Sequence, residues 1–502
     1  MSTTIEAWHA RIAETPEDID LRLVFADWLI ERGDTLGDFI QLECRLLREP
    51  RHADALKWRR QANAMRKSHE KSWWGNVGTT TVRGGMIEGA RSNSRKVFDQ
   101  LERVAPALAE LEIPSERRLD EEERAALGAH PLWRRVRRLD VYADAVLPVL
   151  AALEADNLPN LERLRATSIG ARLDPLLSLL ERRAPRLERL EIPNAGANDA
   201  SIVRLGAWNH SLVTLDLYGN SLSPDAVASL ASGRLLQGIR ELRLGRTDIG
   251  PEGVVALAAC RHLATLERLD LRRAGLSSKT AGAVASLMAS APRLGAAALE
   301  ACRQIATRER PDPRRAGSSS KTADVAGALA ALVASTPRLV ALELMSARVG
   351  PEEMATITAR DSLPALRELS LHGCGIGDGG LARLLDSALA RRLDALNLRN
   401  NGLSDGSARA LAESPALSGL RLLNLESNPF TEMGLEILRD APALENVTIT
   451  AGSLGSQLFA EAHNEKEGLW LGSTNYKEYN VLRRPASAKQ RKTTKKGSKK
   501  LV

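Results

Sequence analysis

Few residue types that commonly do chemistry are spaced here to do it together. The 502-residue chain has eight His with no HExxH pair, and its four cysteines, Cys44, Cys260, Cys302 and Cys374, lie far apart with no CxxC. Neither a zinc site nor a disulfide framework is indicated, and reduced structural cysteine is expected. Lys279-Thr280 and Lys321-Thr322 each follow a Gly and serines, but they lack the Gly-x-x-x-x-Gly spacing through which backbone amides cradle phosphate. Arg32-Gly33-Asp34 spells an adhesion tripeptide, yet Gly33 is placed to end one helix and Asp34 to cap the next. No nucleophile–base pair or carboxylate pair can be assembled, so the expectation is a non-enzyme with no cofactor and no metal.

What does recur is arginine, and its spacing belongs to a repeat. The pattern LxxLxLxx(N/C/T/A) runs through "LVTLDLYGN" from Leu212, "IRELRLGRT" from Ile239, "LERLDLRRA" from Leu266, "LVALELMSA" from Leu339, "LRELSLHGC" from Leu366, "LDALNLRNN" from Leu393 and "LRLLNLESN" from Leu420. Steps within 212–266 and within 339–420 are 27 residues. Weaker copies begin near Leu108, Val136, Leu161, Leu187, Leu294 and Leu444. Each copy alternates apolar and polar positions as a short strand does, then passes into a helix-period segment such as "SPDAVASLASG". One strand with one helix cannot bury both apolar faces alone, whereas stacked copies can. The prediction is an α/β solenoid, a horseshoe with parallel inner strands and outer helices.

These copies resemble leucine-rich repeats of the ribonuclease-inhibitor type, and the resemblance covers about residues 108 to 450. It implies a protein-binding fold. The ninth position, held by Asn220, Thr247, Cys302, Cys374, Asn401 and Asn428, is where that family satisfies turn backbone groups inside the stack.

In this frame the third, fifth, seventh and eighth positions are expected to face the concave surface. They hold Arg138, Tyr142, Arg163, Arg165, Arg189, Tyr218, Arg243, Arg246, Arg268 and Arg272 early in the array, and Glu343, Glu368, His372 and Arg399 later. The face reads as basic at one end and acidic at the other. Arginine suits bidentate carboxylate contacts and interface hot spots, so these fourteen residues are candidates for binding a protein partner. Pairing among neighbouring strands for solubility is the competing reading.

Composition changes along the chain. Hydrophobic residues make up 43%, aromatics only 3%, and five of the eight Trp fall within the first 74 residues. That region reads as about four helices followed by a turn and a short strand in "WWGNVGTTTVRGGMIEG". On the second helix Leu21, Val24, Phe25, Trp28 and Leu29 share one face. The wording "LRLVFADWLIERGDTLGDFIQLE" resembles the bacterial repeat-companion domain, which implies an N-terminal cap without implying an activity. The domain reading is therefore 1–90 helical cap, 91–455 repeats with an irregular insertion near 303–322, 456–482 C-terminal cap or linker, and 483–502 basic tail.

From Arg483 on, nine Lys and Arg stand with no acid among them; without those nine the formal charge falls from +7 to −2. The high isoelectric point is thus a property of the tail, which is expected to be disordered and available for weak, salt-dependent contact with nucleic acid or an acidic surface. The first residues carry charges where a signal peptide needs an apolar core, and no run approaches the ~18 apolar residues that span a bilayer. A cytoplasmic protein without membrane contact is expected. The leading functional expectation is a protein-interaction scaffold. The alternatives are a GTPase-activating or other enzyme-regulating leucine-rich-repeat protein, and nucleic-acid association through the tail.

Overall fold

The computed structural model describes residues 4–50, 52–115, 119–247, 249–274, 283–284, 286–287, 290–300, 337–345, 349–359, 363–445, 447–451 and 481–483. Two compact units emerge: residues 1–201 with 208–216, and residues 202–207 with 217–502.

The first unit opens with α1 (Ile5–Glu14), α2 (Ile19–Ile30), α3 (Thr35–Arg48) and α4 (Ala55–Trp74). Side-chain oxygens of Thr4, Asp18 and Asp34 accept from the free amides that begin the first three. Gly33, at φ +73°, ends α2 as its sequence context requires. The helices close on Trp8, Ile12, Phe25, Leu29, Ile40 and Cys44.

The buried stripe of α2 departs from the expected one. Val24 is 53% exposed, while Arg22 is only 2% exposed. Arg22 earns that position through its donors: Nε bonds Pro16 O at 3.0 Å, Nη1 bonds Arg83 O at 2.8 Å, and Nη2 pairs with Glu88 at 2.7 Å as well as with Pro16 O. A buried guanidinium is tolerated when its hydrogen bonds are made inside.

Two strands follow where one was expected. β1 (Thr79–Arg83) and β2 (Met86–Arg91) form an antiparallel hairpin closed by Gly84 and Gly85, both at positive φ. From β2 onward the pairing is parallel and in chain order, through β3 (Glu110–Ile113), β4 (Arg138–Tyr142), β5 (Arg163–Thr167), β6 (Arg189–Glu191) and β7 (Thr214–Asp216). Helices α5 (Arg95–Val104), α6 (Glu121–Gly128), α7 (Leu147–Glu154) and α8 (Leu173–Arg183) alternate with these strands. Leu111, Leu139, Leu164, Leu190 and Leu215 stand in register and are buried.

The second unit repeats the plan. Its helices are α9 (Pro224–Ser232), α10 (Gly250–Ala258), α11 (Pro351–Ile357), α12 (Gly377–Asp386), α13 (Asp405–Glu413) and α14 (Glu432–Asp440). Its strands β8 (Glu241–Arg243), β9 (Arg268–Leu271), β10 (Ala296–Glu300), β11 (Ala341–Met345), β12 (Glu368–Ser370), β13 (Ala395–Asn397), β14 (Leu422–Asn424) and β15 (Thr448–Thr450) are parallel neighbours in that order. A last strand, β16 (Val481–Arg483), pairs antiparallel with β15. The long spacing before Leu339 leaves the sheet unbroken, because β10 pairs directly with β11. The insertion near 303–322 and Cys302 lie outside the described residues, as does the tail beyond Arg483.

The ninth-position ladder is present. Asn220 Nδ2 donates to Leu217 O at 2.8 Å, Asn401 Nδ2 to Leu371 O at 2.8 Å, and Asn428 Nδ2 to Leu398 O at 3.0 Å. Asn428 Oδ1 in turn accepts from the amides of Asn401 and Leu403. Cys374 Sγ reaches Leu344 O at 3.2 Å, and Thr247 Oγ1 donates to Leu244 O. Cys374 is a buried thiol within the stack, and Cys44 and Cys260 are buried and free. Burial pushes the Cys44 thiol up to about 11, away from the reactive thiolate.

Candidate functional site

Strand alternation sends the repeat leucines to one face of each sheet and the third, fifth and seventh positions to the other, the inner face.

In the first unit Arg138 of β4, Arg163 of β5 and Arg189 of β6 stand in register in one row; Asp140, Arg165 and Glu191 form the next row. Arg138 pairs with Glu110 of β3 at 2.8 Å. Arg163 holds Glu191 bidentately, Nε at 2.7 Å and Nη2 at 3.1 Å, with Asp140 at 3.8 Å on its other side. The hydrogen bond to Glu191 raises the Arg163 pKa, and burial raises that of Asp140 against the pull of Arg163 and Arg165. A polar cavity of about 150 Å³ opens among Arg91, Glu110, Glu112, Arg138, Asp140 and Arg163. Its charges already neutralise one another.

Arg165 and Arg189 differ from these. Arg165 has a buried Nε with no hydrogen-bond partner among the described residues. Arg189 is exposed, and among the described residues it has no carboxylate within ion-pair distance. Tyr142, at the end of β4, is 37% exposed and stands apart from the arginine rows.

In the second unit Arg243 pairs with Glu241 at 2.5 Å, and Arg268 reaches the same carboxylate at 4.0 Å. Arg272 donates to Asp270 at 2.7 and 3.1 Å, approaches Glu343 at 3.7 Å, and sits 6.0 Å from the Tyr218 ring. Burial opposes the Arg272 charge, but Asp270 and Glu343 more than offset it and push its pKa up. Tyr218 lies over Gly245, where a Cβ would stand 2.7 Å from the ring. Arg399 reaches Glu426 at 3.5 Å.

Glu368 and His372 frame β12. Burial, reinforced by Asp394, raises the Glu368 carboxyl to about 7. Burial, reinforced by Arg399 and then Arg273, lowers His372 to about 4 and so keeps it neutral. Arg246 occupies a left-handed turn at φ +55° beyond β8 and is exposed. Arg273, Asn400 and Ser427 repeat that conformation.

Sequence reasoning missed the Arg22–Glu88 pair and the role of Glu110. The first hides because a charged residue on an apolar-periodic helix is ordinarily assigned to solvent. The second was legible in principle, since Glu110 stands two residues beyond the weak copy at Leu108. Among the described residues no group of three or more His, Cys, Asp or Glu is placed to hold a metal, and no helix is long and apolar enough to cross a membrane.

A family model described as "Leucine Rich repeat" matches residues 239–258 and 363–385. The matched segments run from the strands β8 and β12 into α10 and α12, and the parallel stack is that of a leucine-rich-repeat-like solenoid. Among solved structures the chain is similar to the yeast Rad7 and Elc1 complex, at 16% identity and a TM-score of 0.43, over 80% of this chain and 90% of that one. It is also similar to the leucine-rich repeat-containing protein LegL7 from Legionella pneumophila, at 15% identity and a TM-score of 0.34, over 60% of this chain and 87% of that one. No curated protein matches.

Proposed function

We propose that the chain is a non-enzymatic protein-interaction scaffold whose partner presents an acidic segment to the inner face of the first unit. The observation that carries this reading is the contrast on β4–β6: Arg138 and Arg163 are committed to carboxylates of their own chain, while Arg165 and Arg189 keep donors to offer. A guanidinium with spare donors, set beside filled ones on a rigid sheet, is built to take an incoming carboxylate bidentately. Leucine-rich repeats as a class support the reading, since they bind proteins more often than they catalyse.

The N-terminal helices act in this reading as a repeat-companion domain of bacterial type that caps the array. Their Trp8 and Trp74 are buried and Trp28 packs against the same core, which favours capping over recognition.

The test is affinity capture from a lysate of the source organism with wild-type protein and with Arg165→Glu/Arg189→Glu. Neither residue holds a structural ion pair among the described residues, so the variant should melt within a few degrees of wild type. A discrete protein retained by wild type and reduced at least tenfold by the variant supports the reading; undiminished retention rejects the site. If that protein is a small GTPase, acceleration of its hydrolysis distinguishes a regulator from a passive scaffold.

A further inference from the structure

Lysine is scarce in this chain, and its placement is uneven. Of the 70 Lys and Arg side chains 14 are lysines, and six of those precede residue 450: Lys57, Lys67, Lys71, Lys96, Lys279 and Lys321. Three of these six stand on α4. Lys57, Arg60, Ala64, Lys67 and Lys71 follow one another at steps of three and four residues, which places them on one face of the helix. Lys57, Arg60, Lys67 and Lys71 are all exposed, and among the described residues none has a carboxylate within ion-pair distance. The single acid of α4, Glu70, is taken by Arg66 at 3.0 Å. Like charges three and four residues apart on a helix repel, as at Lys57 and Arg60 and at Lys67 and Lys71, so the stripe favours an anion brought from outside.

The other face of α4 holds the stripe rigid. Ala55, Ala62 and Trp74 are buried. Near one end Trp58 stacks on His52 at 4.5 Å, with Arg45 of α3 5.3 Å from its ring. At the other end Trp73 stacks on Phe39 of α3 at 5.0 Å and donates from Nε1 to Thr35 Oγ1 at 3.0 Å. From Lys57 to Lys71 the helix rises ~21 Å at about 1.5 Å per residue. Over that length duplex DNA presents about a dozen phosphate charges.

The residue types choose among anionic partners. Lysine is a compact point charge that meets phosphate without the bidentate geometry arginine offers a carboxylate, and the inner faces of the array carry arginine instead. Leu56, 69% exposed, is the one large apolar side chain that α4 shows to solvent, so the stripe lacks both the apolar wedge of a membrane-surface helix and the aromatic anchors of a protein interface. We propose that the outer face of α4 binds duplex DNA, with Lys57, Arg60, Lys67 and Lys71 contacting backbone phosphates without reading sequence. The proposal is independent of the partner reading above, which concerns other residues of the first unit.

Two measurements on the full chain, freed of nucleic acid by nuclease, test it. First, amine acylation of the unaltered protein, mapped by mass spectrometry, should slow at least fivefold at Lys57, Lys67 and Lys71 when a saturating mixed-sequence DNA duplex is added. Protection confined to the tail lysines, protection of none, or stronger protection by phosphatidylserine vesicles than by the duplex overturns the proposal. Second, in fluorescence anisotropy with the same duplex, Lys57→Gln/Arg60→Gln/Lys67→Gln/Lys71→Gln should make the plot of log affinity against log salt shallower by about 3 to 4, since each phosphate contact contributes about 0.9. An equal slope in wild type and variant assigns the binding to the tail and overturns the proposal. The acylation map uses wild-type protein, so a poorly folded variant does not decide the matter.

Discussion

Arg163 on β5 grips Glu191 on β6 with two hydrogen bonds, and the pair spans neighbouring repeats rather than one repeat. Glu191 is 8% exposed, so removing one partner strands the other's charge in a poorly hydrated place. Glu191→Ala is expected to cost about 2–3 kcal/mol, and adding Arg163→Ala should cost little more, because the stranded charge then goes. Thermal melts of the two single variants and the double measure that coupling; strict additivity would exclude it.

Asn401 and Asn428 are linked by the Oδ1 that accepts from the Asn401 amide. Asn428→Ala removes the side-chain partner of the Asn401 and Leu403 amides and of the Leu398, Leu425 and Glu426 carbonyls and should cost roughly 2 kcal/mol, given the penalty for buried unsatisfied groups. Hydrogen exchange should locate the loss at the amides of Asn401 and Leu403. An exchange increase spread evenly over the second unit would argue against a local ladder.

Glu368 and His372 predict opposite responses to pH. The folded Glu368 carboxyl titrates near 7 rather than 4.5, so its contribution to stability is fully present below about 4.5 and lost as pH rises through 7. The folded His372 titrates near 4 rather than 6.5, so its contribution is present above about 6.5 and lost as pH falls toward 4. Glu368→Gln should leave a melting temperature that falls on acidification across this window, and His372→Gln one that rises. Each shift bounds its effect at about 3 kcal/mol. Parallel slopes in the two variants would show that neither group governs the window.

Arg22 tests the N-terminal core. Arg22→Lys keeps the charge but not the planar set of donors shared by Pro16 O, Arg83 O and Glu88. A loss of about 2 kcal/mol or more is expected, with Glu88, whose side chain is 16% exposed, left beside a shorter reach. Chemical denaturation followed by Trp fluorescence reports it, and a neutral outcome would mean that the guanidinium is incidental.

The repeats were legible because burial imposes a period: Leu342, Leu369, Leu396 and Leu423 fall 27 residues apart and line up in adjacent strands. The ladder at Asn220, Asn401 and Asn428 was legible for the same reason. The β1 strand was not, since "TTTVR" presents little apolar alternation and is held by its hairpin partner rather than by a core of its own. Nor was Arg22, whose burial depends on acceptors 61 and 66 residues away. On the inner face the residue types were visible but their commitments were not. Arg163 and Arg189 read alike in sequence, and only register shows that the first is spoken for by Glu191.

The hairpin at the start of the first unit also changes the direction of the sheet's edge. β1 meets β2 antiparallel, carries a bulge between Thr81 and Val82, and shows solvent Thr79, Thr81 and Arg83. A stray repeat from another molecule would need to meet a parallel strand in step with its own, and it finds an irregular one running the other way. At this edge the hairpin offers no parallel strand on which a further repeat could continue the stack.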